Sequence, residues 1–143
     1  MKIVIIDASM AANWQLDDEK NEKANQILEE VRDCHLIVPS IFWHEMRSIF
    51  IASEKRGRTT KAEILQLLEN LRTLRIHEQE FNNDALILSL AFQYNLSAYD
   101  AAYLALAIQK NAILATNDQK LARAALVANI DLRTALNEKI LNT

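Results

Sequence analysis

Four consecutive residues near the start of the chain, Ile3, Val4, Ile5 and Ile6, are apolar and β-branched. A strand with one wet face would alternate polar and apolar side chains. A run with no polar face belongs to a strand buried on both sides, the central strand of a parallel sheet covered by helices. Shorter apolar runs at 35–38, 74–77, 112–115 and 129–132 read as further strands, the one at 74–77 the weaker. Between them, helical periodicity predicts helices at about 18–32, 41–56, 61–73, 81–94, 98–110 and 118–127. This alternation implies an α/β fold with a central, mostly parallel sheet flanked by helices.

Local signals fix several helix ends. Thr60 with Glu63 is a capping box, and Gly57 after Lys55 and Arg56 reads as a left-handed helix stop. Ser97 with Asp100 forms a second box-like pair. The helix it opens, with Ala101, Ala102, Tyr103, Leu104 and Ala105 in succession, is apolar on nearly every side and belongs in the interior.

Composition narrows the function. The 143 residues, 50% hydrophobic and 24% charged, suit one domain spanning 1–143. The lone Cys34 makes neither an internal disulfide nor a thiolate zinc site, so the reducing cytoplasm is the expected compartment. Gly57, the only glycine, cannot build a phosphate-binding loop of the Walker or Rossmann kind. A net charge of -3 gives no global attraction for nucleic acid, so any such binding must rest on local charge. The apolar stretch from Met1 to Ile6 stops at Asp7, too short for a signal peptide or a membrane span, and no other stretch replaces it. His35, His44 and His77 lack zinc spacing, and Trp14 and Trp43 read as packing residues.

Four carboxylates stand out by position. Asp7 ends the first strand and Asp118 follows the fourth after Thr116 and Asn117, at the edge where open α/β sheets bind ligands. Glu45 falls on the helix face shared with Ile41, Phe42, Ile49 and Ala52, where a lone carboxylate is costly. Asp100 sits in the first turn of the buried helix. Each acid has an ordinary explanation: Asp7 and Asp118 as helix caps or dipole partners, Asp100 as half of a capping box, Glu45 as a buried ion pair with a lysine or arginine. Taken together, four acids drawn to one edge repel one another unless cations neutralise them, and hard carboxylate donors favour Mg²⁺ or Mn²⁺.

These residues also resemble the PIN-domain ribonucleases, especially the VapC-type toxins of prokaryotic toxin–antitoxin pairs. The segment Ile6-Asp7-Ala8-Ser9 with Trp14 and Asp17-Asp18-Glu19 is similar to the family's opening motif. Val38-Pro39-Ser40 leading to Phe42 and His44-Glu45, then Leu96-Ser97-Ala98-Tyr99-Asp100-Ala101-Ala102-Tyr103, then Leu114-Ala115-Thr116-Asn117-Asp118, follow in the family's order. The resemblance covers nearly the whole chain. It implies a three-layer PIN-like fold and a metal-dependent endoribonuclease in which Asp7, Glu45, Asp100 and Asp118 hold one or two divalent ions. Ser9, Thr116 and Asn117 would support the carboxylates. It further implies an RNA substrate, an antitoxin whose basic residue reaches the acids, and a homodimer.

Lys120 and Arg123, one turn after Asp118, and Lys55, Arg56 and Arg58 around Gly57 are candidate RNA contacts; solvated helix ends explain them equally. Two readings from other classes stay open. A phosphoacceptor signalling domain also gathers acids and Mg²⁺ at a sheet edge, although Asp7 stands alone and 74–77 ends without an aspartate. A noncatalytic PIN fold serving as a protein-binding module is the other.

Overall fold

The computed structural model describes residues 2–16 and 21–142. Met1, the Asp17-Asp18-Glu19 segment and the first residues of the helix expected from 18 lie outside the described residues. Five parallel strands, β1 (Ile3–Ile6), β2 (His35–Val38), β3 (His77–Glu78), β4 (Ile113–Ala115) and β5 (Leu132–Arg133), form one sheet in the order β3-β2-β1-β4-β5. Every strand pair is parallel. The doubly buried strand read from the β-branched run is central: Val4, Ile5 and Ile6 are fully buried, with β2 on one side and β4 on the other.

Among the described residues eight helices flank the sheet: α1 (Ala8–Gln15), α2 (Glu22–Val31), α3 (Phe42–Lys55), α4 (Lys61–Arg72), α5 (Asp84–Tyr94), α6 (Ala98–Lys110), α7 (Gln119–Val127) and α8 (Glu138–Leu141). Helix α6 packs on β1 and β4, and its residues Ala101 and Tyr103 to Ala107 are buried, as its all-round apolar sequence demands. The tryptophans pack. Trp14 donates its indole N–H to the Ala24 carbonyl at 2.9 Å, tying α1 to α2. Trp43 meets Phe42 edge-on and carries the Arg72 guanidinium 3.9 Å from its ring centre.

The two edge strands differ from the sequence reading. Residues 74–77 were expected as β3, but α4 ends in a turn through Thr73 and Arg75, whose φ is 58°, and pairing with β2 begins only at His77. Likewise Asn129, at φ 59°, closes α7, so β5 starts at Leu132 rather than 129. An apolar run marks a strand only where a neighbour's ladder reaches it. The helix at 81–94 begins at Asp84 because Asn83 caps it, its side chain accepting from Leu86 N at 3.1 Å.

The stop at Gly57 is a Schellman motif: Arg58 N–H donates to Ser53 O at 3.0 Å and Gly57 N–H to Glu54 O at 2.9 Å, with Gly57 at φ 74°. This turn places Arg56 and Arg58 just beyond α3.

Candidate active site

The order of strands decides where a site can form. From β1 the sheet grows outward through β2 and β3, and then β4 and β5 are added on the opposite side of β1. The carboxyl ends of β1 and β4 therefore flank the point where the strand order reverses, the usual ligand crevice of an open α/β sheet. Asp7 leaves β1 and Asp118 follows β4 there.

Asp7 is the most buried of the acids, at 4% exposure. It caps α1, its Oδ1 accepting from Met10 N at 3.1 Å. The Ser9 hydroxyl lies 2.8 Å from Oδ1 and 3.0 Å from Oδ2, and Thr116 donates its hydroxyl to Oδ2 at 2.5 Å. Despite these donors, burial dominates and pushes the Asp7 carboxyl up to about 7, with the negative charge of Asp118 adding to the rise. Fully buried Thr116 links the two strand ends: its Oγ1 also accepts from Asp118 N at 3.0 Å.

Asp118 caps α7 through Oδ1, which accepts from Leu121 N at 2.9 Å. Asp100 lies in the first turn of α6, and its N–H donates to Ser97 Oγ at 3.1 Å. Its carboxyl is raised by burial and by Asp118, against the Ser97 hydrogen bond and the charge of Lys120. Glu45, half-buried in the first turn of α3, accepts the Tyr103 hydroxyl at Oε1 at 2.6 Å. Burial raises it, the Tyr103 bond opposes, and Asp100 adds to the rise. Tyr103 is itself held strongly in its protonated form by burial and by Glu45. The capping explanations of Asp7 and Asp118 thus hold in the fold, while Asp100 shows only the Ser97 half of its box; the charge of Asp118 also acts on Asp7 and Asp100, and that of Asp100 on Glu45.

Among the described residues the ion pair expected as the simplest explanation of Glu45 does not form; the partner is Tyr103, a residue that the sequence placed in the apolar helix and in a family motif but not as a partner of Glu45. Its signal was available: a carboxylate on a buried face needs a donor, and tyrosine is the polar side chain of the buried helix. Among the described residues no lysine or arginine forms an ion pair with any of the four acids. No hydrogen bond reaches Asp118 Oδ2 or Glu45 Oε2 among those residues. Hard oxygen donors, with Asp118 raising Asp7 and Asp100 and with Asp100 raising Glu45, fit a divalent cation by chemistry. They are not a ready-made cage, since no group of three His, Cys, Asp or Glu side chains converges for a metal among the described residues.

Ser9 and Thr116 bond the Asp7 carboxylate, but Asn117 does not. Its Oδ1 accepts from Ala135 N at 2.8 Å and its Nδ2 donates to Asn13 Oδ1 at 3.1 Å, so its side chain pins the chain after β5 to α1. Only its backbone N–H reaches the site, donating to Ser9 Oγ at 2.9 Å. Asn13, unremarked in the sequence, also donates to Ser9 O at 3.2 Å. Lys120 places its ammonium 3.2 Å from Asn95 O while acting on Asp100. Arg123 turns toward α8, donating to Ile140 O at 2.8 Å, which makes it a tie between helices. Lys55, Arg56 and Arg58 are exposed around the α3 stop.

Comparison with known proteins places these features in a context. A family model described as the PIN domain matches residues 4–127. The chain is 30% identical over 127 residues to Ribonuclease VapC3 of Pyrobaculum aerophilum, covering 85% of this chain and 93% of that protein. Among solved structures, PAE2754 from Pyrobaculum aerophilum superposes with a TM-score of 0.68 at 18% identity, over 86% of each chain. A toxin–antitoxin complex from Klebsiella pneumoniae superposes at 0.57 and 19% identity, over 82% of this chain and 88% of that one.

Proposed function

The chain belongs to the PIN-domain family, and from that premise we propose that it is a VapC-type endoribonuclease, the toxin of a type II toxin–antitoxin pair, acting with Mg²⁺ or Mn²⁺ in the cytoplasm. The observation that carries this reading is Asp7: a buried carboxylate at the strand-order reversal, raised by desolvation and by Asp118, with no ion-pair partner among the described residues. Burial of this kind disfavours the charged form unless a cation offsets it.

Asp7, Asp100 and Asp118, with Glu45, would hold the ion, as supported by their shared edge and oxygen chemistry. When bound, the ion supplies Lewis acidity toward the phosphodiester and offsets the carboxylate charge. Ser9 and Thr116 fix the orientation of Asp7, so its carboxylate is already aimed before RNA arrives. Tyr103 occupies Oε1 of Glu45 and leaves Oε2 to accept a proton from the attacking water. The raised pKa of Glu45 makes it a stronger base than a solvated glutamate. Lys120, beside Asp100, stands where it can meet a substrate phosphate.

The proposed partners are RNA, an antitoxin and a second copy of the chain. The antitoxin's basic residue would enter the acid cluster, replacing the charge of the ion, while its apolar part packs near α2 and α3. Exposed Leu88 and Phe92, one turn apart on α5, support self-association. Among the described residues no helix is long and apolar enough to cross a membrane. The test is expression of the chain beside an Asp7→Asn control, with RNA cleavage followed with and without Mg²⁺. Growth arrest and metal-dependent cleavage are expected from the wild type alone; equal cleavage by both proteins refutes the site.

A further inference from the structure

A cavity of about 450 Å³ opens between α1 and α3, beside the acids. Ser9 forms part of its wall and also bonds the Asp7 carboxylate, so the cavity and the acid cluster share one side chain. The remaining wall has three chemistries. Ala12, Ile49 and Ala52 are apolar; Asn13 and Ser53 are polar; Arg56 and Arg58 carry positive charge.

Each of these matches one part of a nucleotide. Apolar walls accept the faces of a base, and guanidinium groups bind phosphate in a planar, forked geometry. The Schellman turn at Gly57 brings Ser53, Arg56 and Arg58 to the wall of the same cavity. In a chain of net charge -3, the exposed Arg56 guanidinium on this wall supplies local positive charge that suits a phosphate. Ser53 adds an independent indication. It lines the cavity at 4% exposure, and its buried hydroxyl has no hydrogen-bond partner among the described residues. A buried hydroxyl left unbonded is costly, and such groups in native folds are commonly satisfied by a ligand or water.

The cavity also continues in a direction that suits a strand. Ser48 and Ile49 belong both to it and to a neighbouring cavity of about 440 Å³, which contains Glu45 and Tyr99. Tyr99 is 59% exposed and gives an aromatic face beside the acids. Beyond Tyr99 the groove is bordered by Glu80 and Asp84, which repel phosphate. The basic end of the trench is therefore the α1–α3 cavity.

Resting on the ribonuclease reading, we propose that the α1–α3 cavity is a nucleotide subsite. It takes the base and ribose of one unstacked nucleotide next to the scissile phosphodiester, with that nucleotide's outer phosphate on Arg56. It sets the base preference of cleavage at that single position.

Two measurements on the full chain test this. Calorimetric titration with each of the four nucleoside 5′-monophosphates, in EDTA, reads the subsite without turnover. Sequencing of the ends cut from a randomised single-stranded oligoribonucleotide reads base preference in Mg²⁺. Ala52→Phe fills the cavity, Arg56→Ala removes one exposed charge without touching the core, and Arg32→Ala at the far edge of the sheet controls for net charge. Both cavity variants are expected to bind the preferred mononucleotide about tenfold more weakly and to lose base preference at one position next to the cut. Arg32→Ala should match the wild type in both. Unchanged affinity and unchanged preference in Ala52→Phe and Arg56→Ala overturn the subsite while leaving the nuclease standing. Mononucleotide binding lost in both variants, with no RNA cleavage by the wild type, upholds the subsite and removes the ribonuclease reading.

Discussion

Replacing Asp7 by Asn should make the metal-free protein more stable above neutral pH, and the size of the gain follows from its surroundings. The carboxyl has a pKa of 3.8 when solvated and about 7 in the fold, with burial as the leading cause. A folded-state pKa above the unfolded one means that the contribution is fully present below pH 3.8 and is lost as pH rises through about 7. Well above pH 7 the ionised carboxylate therefore costs the fold about 4 kcal/mol relative to acid conditions. Asparagine removes that charge and keeps an oxygen for Met10 N. The NH2 group that then replaces Oδ2 cannot accept the Thr116 hydroxyl, and losing that bond costs about 1 kcal/mol. The balance at pH 8 is a gain of roughly 2–3 kcal/mol, or about 5–10 °C in Tm for a chain of this length. Urea and thermal unfolding in EDTA, run from pH 4 to 8, should show the advantage growing with pH and vanishing or reversing in acid. A variant less stable than wild type at pH 8, or a difference that does not change with pH, refutes the claim that Asp7 is a buried charge awaiting a cation.

Divalent metal should act in the opposite sense on the wild type: at Mg²⁺ a hundredfold above its Kd the fold gains about 2.7 kcal/mol, and Asp7→Asn loses most of that gain. Calorimetry detecting no divalent uptake by the wild type at millimolar concentrations contradicts it. Tyr103→Phe removes the hydroxyl that lowers the Glu45 pKa, so the acidic limb of the pH–rate profile should move upward, with about 1–2 kcal/mol lost in stability. An acidic limb that stays in place assigns Tyr103 to packing alone. Gly57→Ala should cost about 1 kcal/mol in urea unfolding, because its φ of 74° is unfavourable for a side chain although nothing lies within 4 Å of the added Cβ; a neutral result means the turn relaxes.

Elements with local signals were legible from the residues alone. The β-branched run named the central strand, Gly57 named the end of α3, and the apolar faces of α6 named the interior helix, because burial pattern and capping depend on residues only a few positions apart. Asp7 and Asp118 were legible in the same way, since each sits between a strand and the helix it caps. The remaining features arise from contacts between segments distant in the chain. Placing β1 beside β4 joins Thr116 to Asp7 across 109 positions and Ser9 to the Asn117 backbone across 108, and no local pattern encodes those pairings. The same holds for Tyr103, 58 positions from Glu45, and for the late starts of β3 and β5, which depend on how far a neighbouring strand extends. A carboxylate's identity is written in the chain, but its charge is set by how much water the fold removes and which other charges it brings near.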